Sequence, residues 1–230
     1  MIKAERKPLD KIIKMLAVSD EPKKVLVAGC GTCVTICFAG GEQEVELLVS
    51  QLKLRAKSGN GAAGLARTEF VQSTPQRQCE LEYIENLADE VAEAEAVISM
   101  ACGVGVQVMA QRFPDTPVYP ALDTTFMGPP ARHGVWIENC AGCGDCIIGY
   151  TAGVCPVARC AKSMMNGPCG GSQNGKCEVD REIDCAWALI FEGLKNQGKL
   201  RNIMSPAPAK NWSTSAHGGQ RKIVREDIVQ

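Results

Sequence analysis

Between residues 140 and 177 the chain carries seven cysteines and eight glycines with almost no periodic apolar pattern. A segment of that kind cannot bury enough apolar surface to fold around itself. Bound metal or clusters must organise it. The whole chain has 13 cysteines. A secreted disulfide framework is a poor fit: the count is odd, and the opening run MIKAERKPLDKIIKML has charge but no apolar leader. Three cysteines spaced by two residues also cannot all pair with one another. Thiolate ligation in a cytoplasmic protein is the expectation.

The densest run is ENCAGCGDCIIG, which gives Cys140-x2-Cys143-x2-Cys146. It resembles the three-cysteine run of bacterial ferredoxins, in which close turns let three thiolates cap three irons. Gly142 and Gly144 suit a tight backbone and leave amides free to donate to sulfur. Cys155-Pro156 follows, like the Cys-Pro that closes a ferredoxin site. Next come Cys160, Cys169, Cys177 and Cys185, spaced nine, eight and eight apart. Zinc favours paired C-x2-C knuckles, and these four form none. The eight cysteines suit two [4Fe–4S] clusters, one cluster with a structural zinc, or one cluster with spare thiols.

The first half reads differently. Strand signals at Lys23–Gly29, Glu69–Gln72, Ala96–Met100 and Val118–Ala121 alternate with helical stripes. The stripes are Leu9–Leu16 within residues 8–18, Val45–Leu52, an acidic helix over 80–95, and Gly103–Arg112. SGNGAAG (58–64) reads as a loop. The pattern predicts an α/β fold, a small doubly wound parallel sheet of about four strands over residues 1–128. In the order 2-1-3-4 the first three strands are neighbours, and their carboxyl ends open on one crevice. Cys30, Cys33 and Cys37 follow the first strand, Cys79 the second and Cys102 the third. Five candidates thus meet four places around one cluster. The first three have i, i+3, i+7 spacing, which is one helical face. Gly29-Cys30-Gly31 also suggests a dinucleotide turn, but Val34 stands where the third glycine of GxGxxG belongs, so that match fails.

From 129 to 204 the prediction is a cysteine-rich, cluster-organised domain. GPPARHG reads as a linker or turn, and one helix over 180–197 has an apolar face of Ile183, Ala186, Trp187, Ile190 and Leu194. The Pro-, Gly- and Ser-rich tail, 205–230, is expected to be extended, either solvated or with Trp212 and the IVREDIV patch laid on a partner. Net charge is −1, which argues against nucleic acid and membrane-surface partners. No apolar run is long enough for a bilayer span. His133 and His217, the only histidines, stand near no triad-like arrangement. Trp136, Trp187 and Trp212 read as core or interface residues. Without a catalytic constellation, the chain reads as a non-catalytic subunit.

The set GCGTCVTICFAGGEQEV, RQC, ACGVGVQ, NCAGCGDC, GVCPVARCAKSMMNGPCGGSQNGKCEV and DCAW resembles the MetV family over most of residues 20–200. These are the small subunits of acetogen-type methylenetetrahydrofolate reductases, and the region from about 129 to 205 is similar to the methylenetetrahydrofolate reductase C-terminal domain. The resemblance implies a MetF-type flavoprotein partner that reduces methylenetetrahydrofolate in the Wood–Ljungdahl pathway of anaerobes. It also implies electron delivery through one to three [4Fe–4S] clusters, two being expected, with a ferredoxin or further electron-input subunit as donor. Zinc has been proposed for the family, so a zinc-stabilised interaction module is the alternative. A corrinoid- or methyl-handling enzyme is a third, for which no residues are visible.

Overall fold

A computed structural model describes residues 1–16, 22–58, 65–215 and 219–227. Ala17 and Val18, the loop at 59–64, His217 and residues 228–230 of the terminal apolar patch lie outside the described residues. The chain divides into two compact units: Met1–Phe126 with Pro130–Trp136, and Met127–Pro129 with Ile137–Gln230.

The first unit is built on four parallel strands, β2 (Lys24–Ala28), β3 (Glu69–Ser73), β4 (Ala96–Ser99) and β5 (Val118–Pro120), ordered β3-β2-β4-β5. This is the expected 2-1-3-4 order. Central β2 reads KVLVA, a continuous apolar run of the kind a strand covered on both faces needs. Val25 and Val27 join one core cluster, together with Ile12, Ile13 and Leu16 of α1 (Leu9–Leu16) and Val45, Leu48 and Leu52 of α3 (Glu42–Ser58). Leu26 and Ala28 join the other, with Ile84 of α4 (Leu81–Glu85), Leu87, Val91 of α5 (Ala88–Glu93) and Met109 of α6 (Gly103–Arg112). The sheet is therefore doubly wound. Each fully buried aliphatic side chain contributes about 1.5–3 kcal/mol, so apolar packing alone can hold this unit.

One expectation for this unit needs correction. The acidic helix over 80–95 is two short helices, broken at Asn86–Leu87, which turns Leu87 into the same core as Ile84 and Val91. GPPARHG does hold a turn, across which β7 (Pro130–Arg132) and β8 (Val135–Trp136) pair antiparallel. A further sheet joins β1 (Ile2–Arg6) to β6 (Leu122–Met127), which the charged IKAER run did not announce.

The second unit has little regular structure. Its longest element is α8 (Ala186–Asn196), preceded by a short 3-10 turn at Ile148–Tyr150 and the single turn α7 (Pro156–Arg159), and followed by another 3-10 turn at Leu200–Ile203. Trp187, Ile190 and Leu194 of α8, with Cys185, form a small core against Ala152, Val154, Cys160, Leu200 and Ile203. The helix expected from 180 begins at 186, because Cys185 is its extended N-cap, and Ile183 lies before it, 41% exposed. Among the described residues no helix is long and apolar enough to cross a membrane.

Candidate metal centres

In the first unit, the carboxyl ends of β2, β3 and β4 supply Cys30, Cys79 and Cys102. The order reverses at β2, so a crevice is expected between the ends of β2 and β4. Cys79 is exposed, yet its thiol is held above the ordinary range, first by partial desolvation and then by the charges of Cys30 and Cys102, so the three thiols sense one another across the crevice. Thiolates that disfavour one another's ionisation form a site that a cationic group would relieve. Cys30 is buried, with its sulfur 3.6 Å from the Thr32 hydroxyl. Cys102 N-caps α6.

A residue that the sequence reading missed holds this crevice together. Gln78 is fully buried; its Nε2 donates to the Ala28 and Gly29 carbonyls at 2.9 and 2.6 Å, and its Oε1 accepts from Ser99 Oγ at 2.6 Å. One carboxamide thus ties the end of β2 to the end of β4, one residue before Cys79. A Cβ on Gly105 would come within 2.9 Å of the Gln78 Cβ, which is why α6 carries glycine there. A lone glutamine in a loop leaves no periodic signal by which to find it.

Cys33 and Cys37 differ from expectation. Only Cys33–Ile36 is helical (α2), so Cys30 lies before the helix and Cys37 caps its end. The three do not share one helical face. The Cys37 sulfur turns into the core, 3.7 Å from the Ala4 carbonyl and 3.6 Å from that of Val34, and burial pushes its thiol up. Cys33 is half-buried at the start of α2. The loop folds back tightly, with Cys30 N–H donating to Gly40 O at 2.9 Å. A Cβ on Gly40 would meet the Met100 carbonyl oxygen at 1.9 Å. His133, in the β7–β8 turn, is exposed and makes an edge contact with the Phe38 ring at 5.3 Å.

In the second unit, Cys160, Cys169, Cys177 and Cys185 line one small pocket with Arg159, Lys162, Ser172 and Trp187. Their spacings had suggested no local knuckle, yet the fold brings all four together. Burial raises the Cys185 thiol. Hydrogen bonds from the Ser172 side chain and the Ala188 and Trp187 amides outweigh it and hold the thiol below the ordinary range. That is the environment of a thiolate ligand at a helix start. The pocket is formed from side chains of this unit alone. Among the described residues no three His, Cys, Asp or Glu side chains close around a single ion.

The ferredoxin-like run is an irregular loop. Gly142 and Gly144 both adopt left-handed backbone, with φ of +63° and +84°, as the tight turns require. Gly142 N–H donates to the Cys140 sulfur at 3.4 Å. Cys143 is half-buried, Cys140 and Cys146 are exposed, and Cys155 N-caps α7 with Pro156 at its first position. Arg159 of α7 reaches the Asn139 side chain at 3.4 Å, which ties α7 to the start of the loop. The tail, expected to be solvated or on a partner, is exposed over most of its described residues, but Lys210, Thr214 and Arg221 bond to this loop in its own unit. Trp212 is 45% exposed, with the Lys210 ammonium 5.5 Å from its ring centroid. Trp187 is core, its indole N–H donating to Met164 O at 2.9 Å, and Trp136 packs against the first unit's core.

Residues 119–213 match the family model described as methylene-tetrahydrofolate reductase C terminal. No curated protein and no solved structure matches the chain significantly. The matched span takes in the eight later cysteines and the tail as far as Ser213.

Proposed function

We propose that this chain is the iron–sulfur, electron-delivering subunit of a methylenetetrahydrofolate reductase, of the MetV kind. The observation that carries this reading is the convergence of Cys160, Cys169, Cys177 and Cys185 on one pocket inside the region related to that enzyme. Four thiols with no local spacing motif have no packing reason to meet. Three ligand sets follow. Cys30, Cys79 and Cys102 take the crevice, with Cys33 as the fourth, since Cys37 is bound into the core. Cys140, Cys143, Cys146 and Cys155 make the ferredoxin-like set. The pocket cysteines make the third.

The donor sets fit the group: all are thiols, glycine amides face sulfur in the loop, and the crevice sulfurs repel one another until a cation joins them. A bound [4Fe–4S] group supplies one-electron storage. The protein holds the thiolates, excludes water and fixes the sites. Reduction of methylenetetrahydrofolate to methyltetrahydrofolate takes two electrons and two protons. On this reading a reduced ferredoxin or an electron-input subunit gives up the electrons one at a time, and the flavin of a MetF-type partner receives them and reduces the folate. This chain makes no bond itself.

A second reading keeps zinc for the pocket. Were the four pocket thiols all ligands, no place would be left open, which is the arrangement of a structural ion. Iron and zinc per chain, measured on anaerobically purified protein, separate the readings. The electron-transfer reading expects a brown protein absorbing near the usual cluster band, an EPR signal on reduction, and flavin reduction in the partner when reduced carrier is added. A colourless, zinc-rich, iron-free chain sinks it. Zinc at one equivalent beside iron assigns zinc to the pocket and leaves electron transfer to the other two sites.

A further inference from the structure

The tail has no regular structure, yet it is fastened along its length. Asn166 holds it first: its Nδ2 donates to Ala207 O at 3.2 Å and its Oδ1 accepts from Ala207 N–H at 2.7 Å. Lys210 follows, with a side chain only 1% exposed. Its ammonium donates to the Asp145 carbonyl and lies 3.5 Å from the Asp145 carboxylate, between Cys143 and Cys146 in sequence. Thr214 Oγ1 donates to the Cys143 carbonyl at 3.0 Å. Beneath it, a Cβ on Gly144 would meet the Thr214 carbonyl oxygen at 2.6 Å. Arg221 donates to the Thr214 carbonyl and, at 3.4 Å, to that of Gly142. Ser215 is buried with a hydroxyl that has no partner among the described residues.

The charges decide what this strap is for. A buried ammonium costs several kcal/mol unless anions or acceptors face it. Here it faces one carbonyl, one carboxylate that is itself 46% exposed, and the face of the Trp212 ring at 5.5 Å, which leaves room for a further anion. A thiolate-ligated iron group in the Cys140–Cys146 loop, whose Cys143 and Asp145 carbonyls the strap grips, would be that further anion. Adding an electron to such a group adds negative charge, which a fixed cation in a low-dielectric place stabilises.

We infer that the strap from Ser205 to Ser215 is part of the ferredoxin-like site, and that Lys210 is its positioning cation, raising the reduction potential of whatever iron the Cys140, Cys143 and Cys146 thiolates hold. The inference rests on the iron reading of that loop. The match to the reductase-related family ends at residue 213, so it includes Lys210 and its Trp212 neighbour.

The test is a dithionite titration of the full chain followed by EPR, with this site's signal identified as the one lost in Cys143→Ser. Lys210→Met is expected to keep its iron and shift the signal to lower potential, while Lys210→Arg stays near wild type. Asp145→Asn is expected to shift the opposite way, and the double variant to return toward wild type. Limited proteolysis of 205–215 runs alongside. If Lys210→Met frees the strap, Asp145→Asn decides, since the carbonyl that anchors Lys210 survives there. Unchanged potentials in Lys210→Met with an intact strap, or in Asp145→Asn, overturn the inference while leaving the iron reading standing. A wild-type chain without iron or signal overturns both.

Discussion

The two units gather cysteines by different means. In the first, about thirty buried residues on two faces of a sheet fix the strand ends, and topology then delivers Cys30, Cys79 and Cys102 to one crevice. The frame exists before any ligand arrives. In the second, the buried core is Cys185, Trp187, Ile190 and Leu194, two turns of one helix, and the rest is glycine turns and thiols. Where apolar area is scarce, ligation must contribute the folding energy that packing contributes elsewhere. On the proposed reading, the first unit positions its metal and the second is positioned by it.

The sharpest way to break that contrast is to strip metal from the reduced, anaerobic chain with a chelator. Amide exchange should become fast through residues 140–185 while β2 and β4 stay protected. Equal loss of protection in both units would erase the distinction. Next in size is Leu48→Ala in α3, where a fully buried side chain leaves a cavity. About 2–5 kcal/mol should be lost from the first unit. The denaturation midpoint of that unit should fall, with no change in exchange at 140–185.

Gln78→Ala sharpens the comparison further. It leaves the Ala28 and Gly29 carbonyls and the Ser99 hydroxyl without their partner, at about 1–3 kcal/mol for each buried group left unsatisfied. Iron bound at the crevice should drop while the pocket set keeps its metal, as read by metal content in a background lacking Cys143. Gly144→Ala should cost about 1–2 kcal/mol for left-handed backbone, plus the clash with Thr214. Faster proteolysis after residue 205 is its readout.

The smallest effect expected is on pH. Partial desolvation, then Cys30 and Cys102, raise the Cys79 thiol, and only the thiolate ligates. Below its raised pKa the group is protonated. Iron uptake by the stripped crevice should therefore quicken from neutral to mildly alkaline pH. A rate that is flat or falling over that range contradicts the assignment.

Much of the first unit was legible in the sequence. The apolar runs KVLVA and AVIS, with helical stripes between them, dictate a parallel sheet, and strand order places the cysteines that follow. Less legible was what depends on single side chains. Cys37 turns toward Ala4 because α2 ends after one turn, and no spacing rule announces that. Gln78 carries no pattern at all. In the second unit the three-cysteine run was plain, and its glycines take the left-handed backbone that such turns need. The meeting of Cys160, Cys169, Cys177 and Cys185 was invisible, because it depends on loop paths and not on periodicity. The tail was hidden for a similar reason: its fastenings are scattered polar contacts to carbonyls.

Three of the cysteines, Cys102, Cys155 and Cys185, stand as the N-caps of α6, α7 and α8, and none makes a side-chain capping bond there. The usual stopper at a helix start is an oxygen that grips the first free amides. On the proposed reading the sulfur is a metal ligand instead, so each helix begins where a ligand ends. A thiolate pinned to metal would pin the first residue of its helix as well, and a thiolate set free would let that helix fray from its origin. Helical content would then gauge loading: far-ultraviolet circular dichroism should follow the metal, site by site, before any unit as a whole gives way.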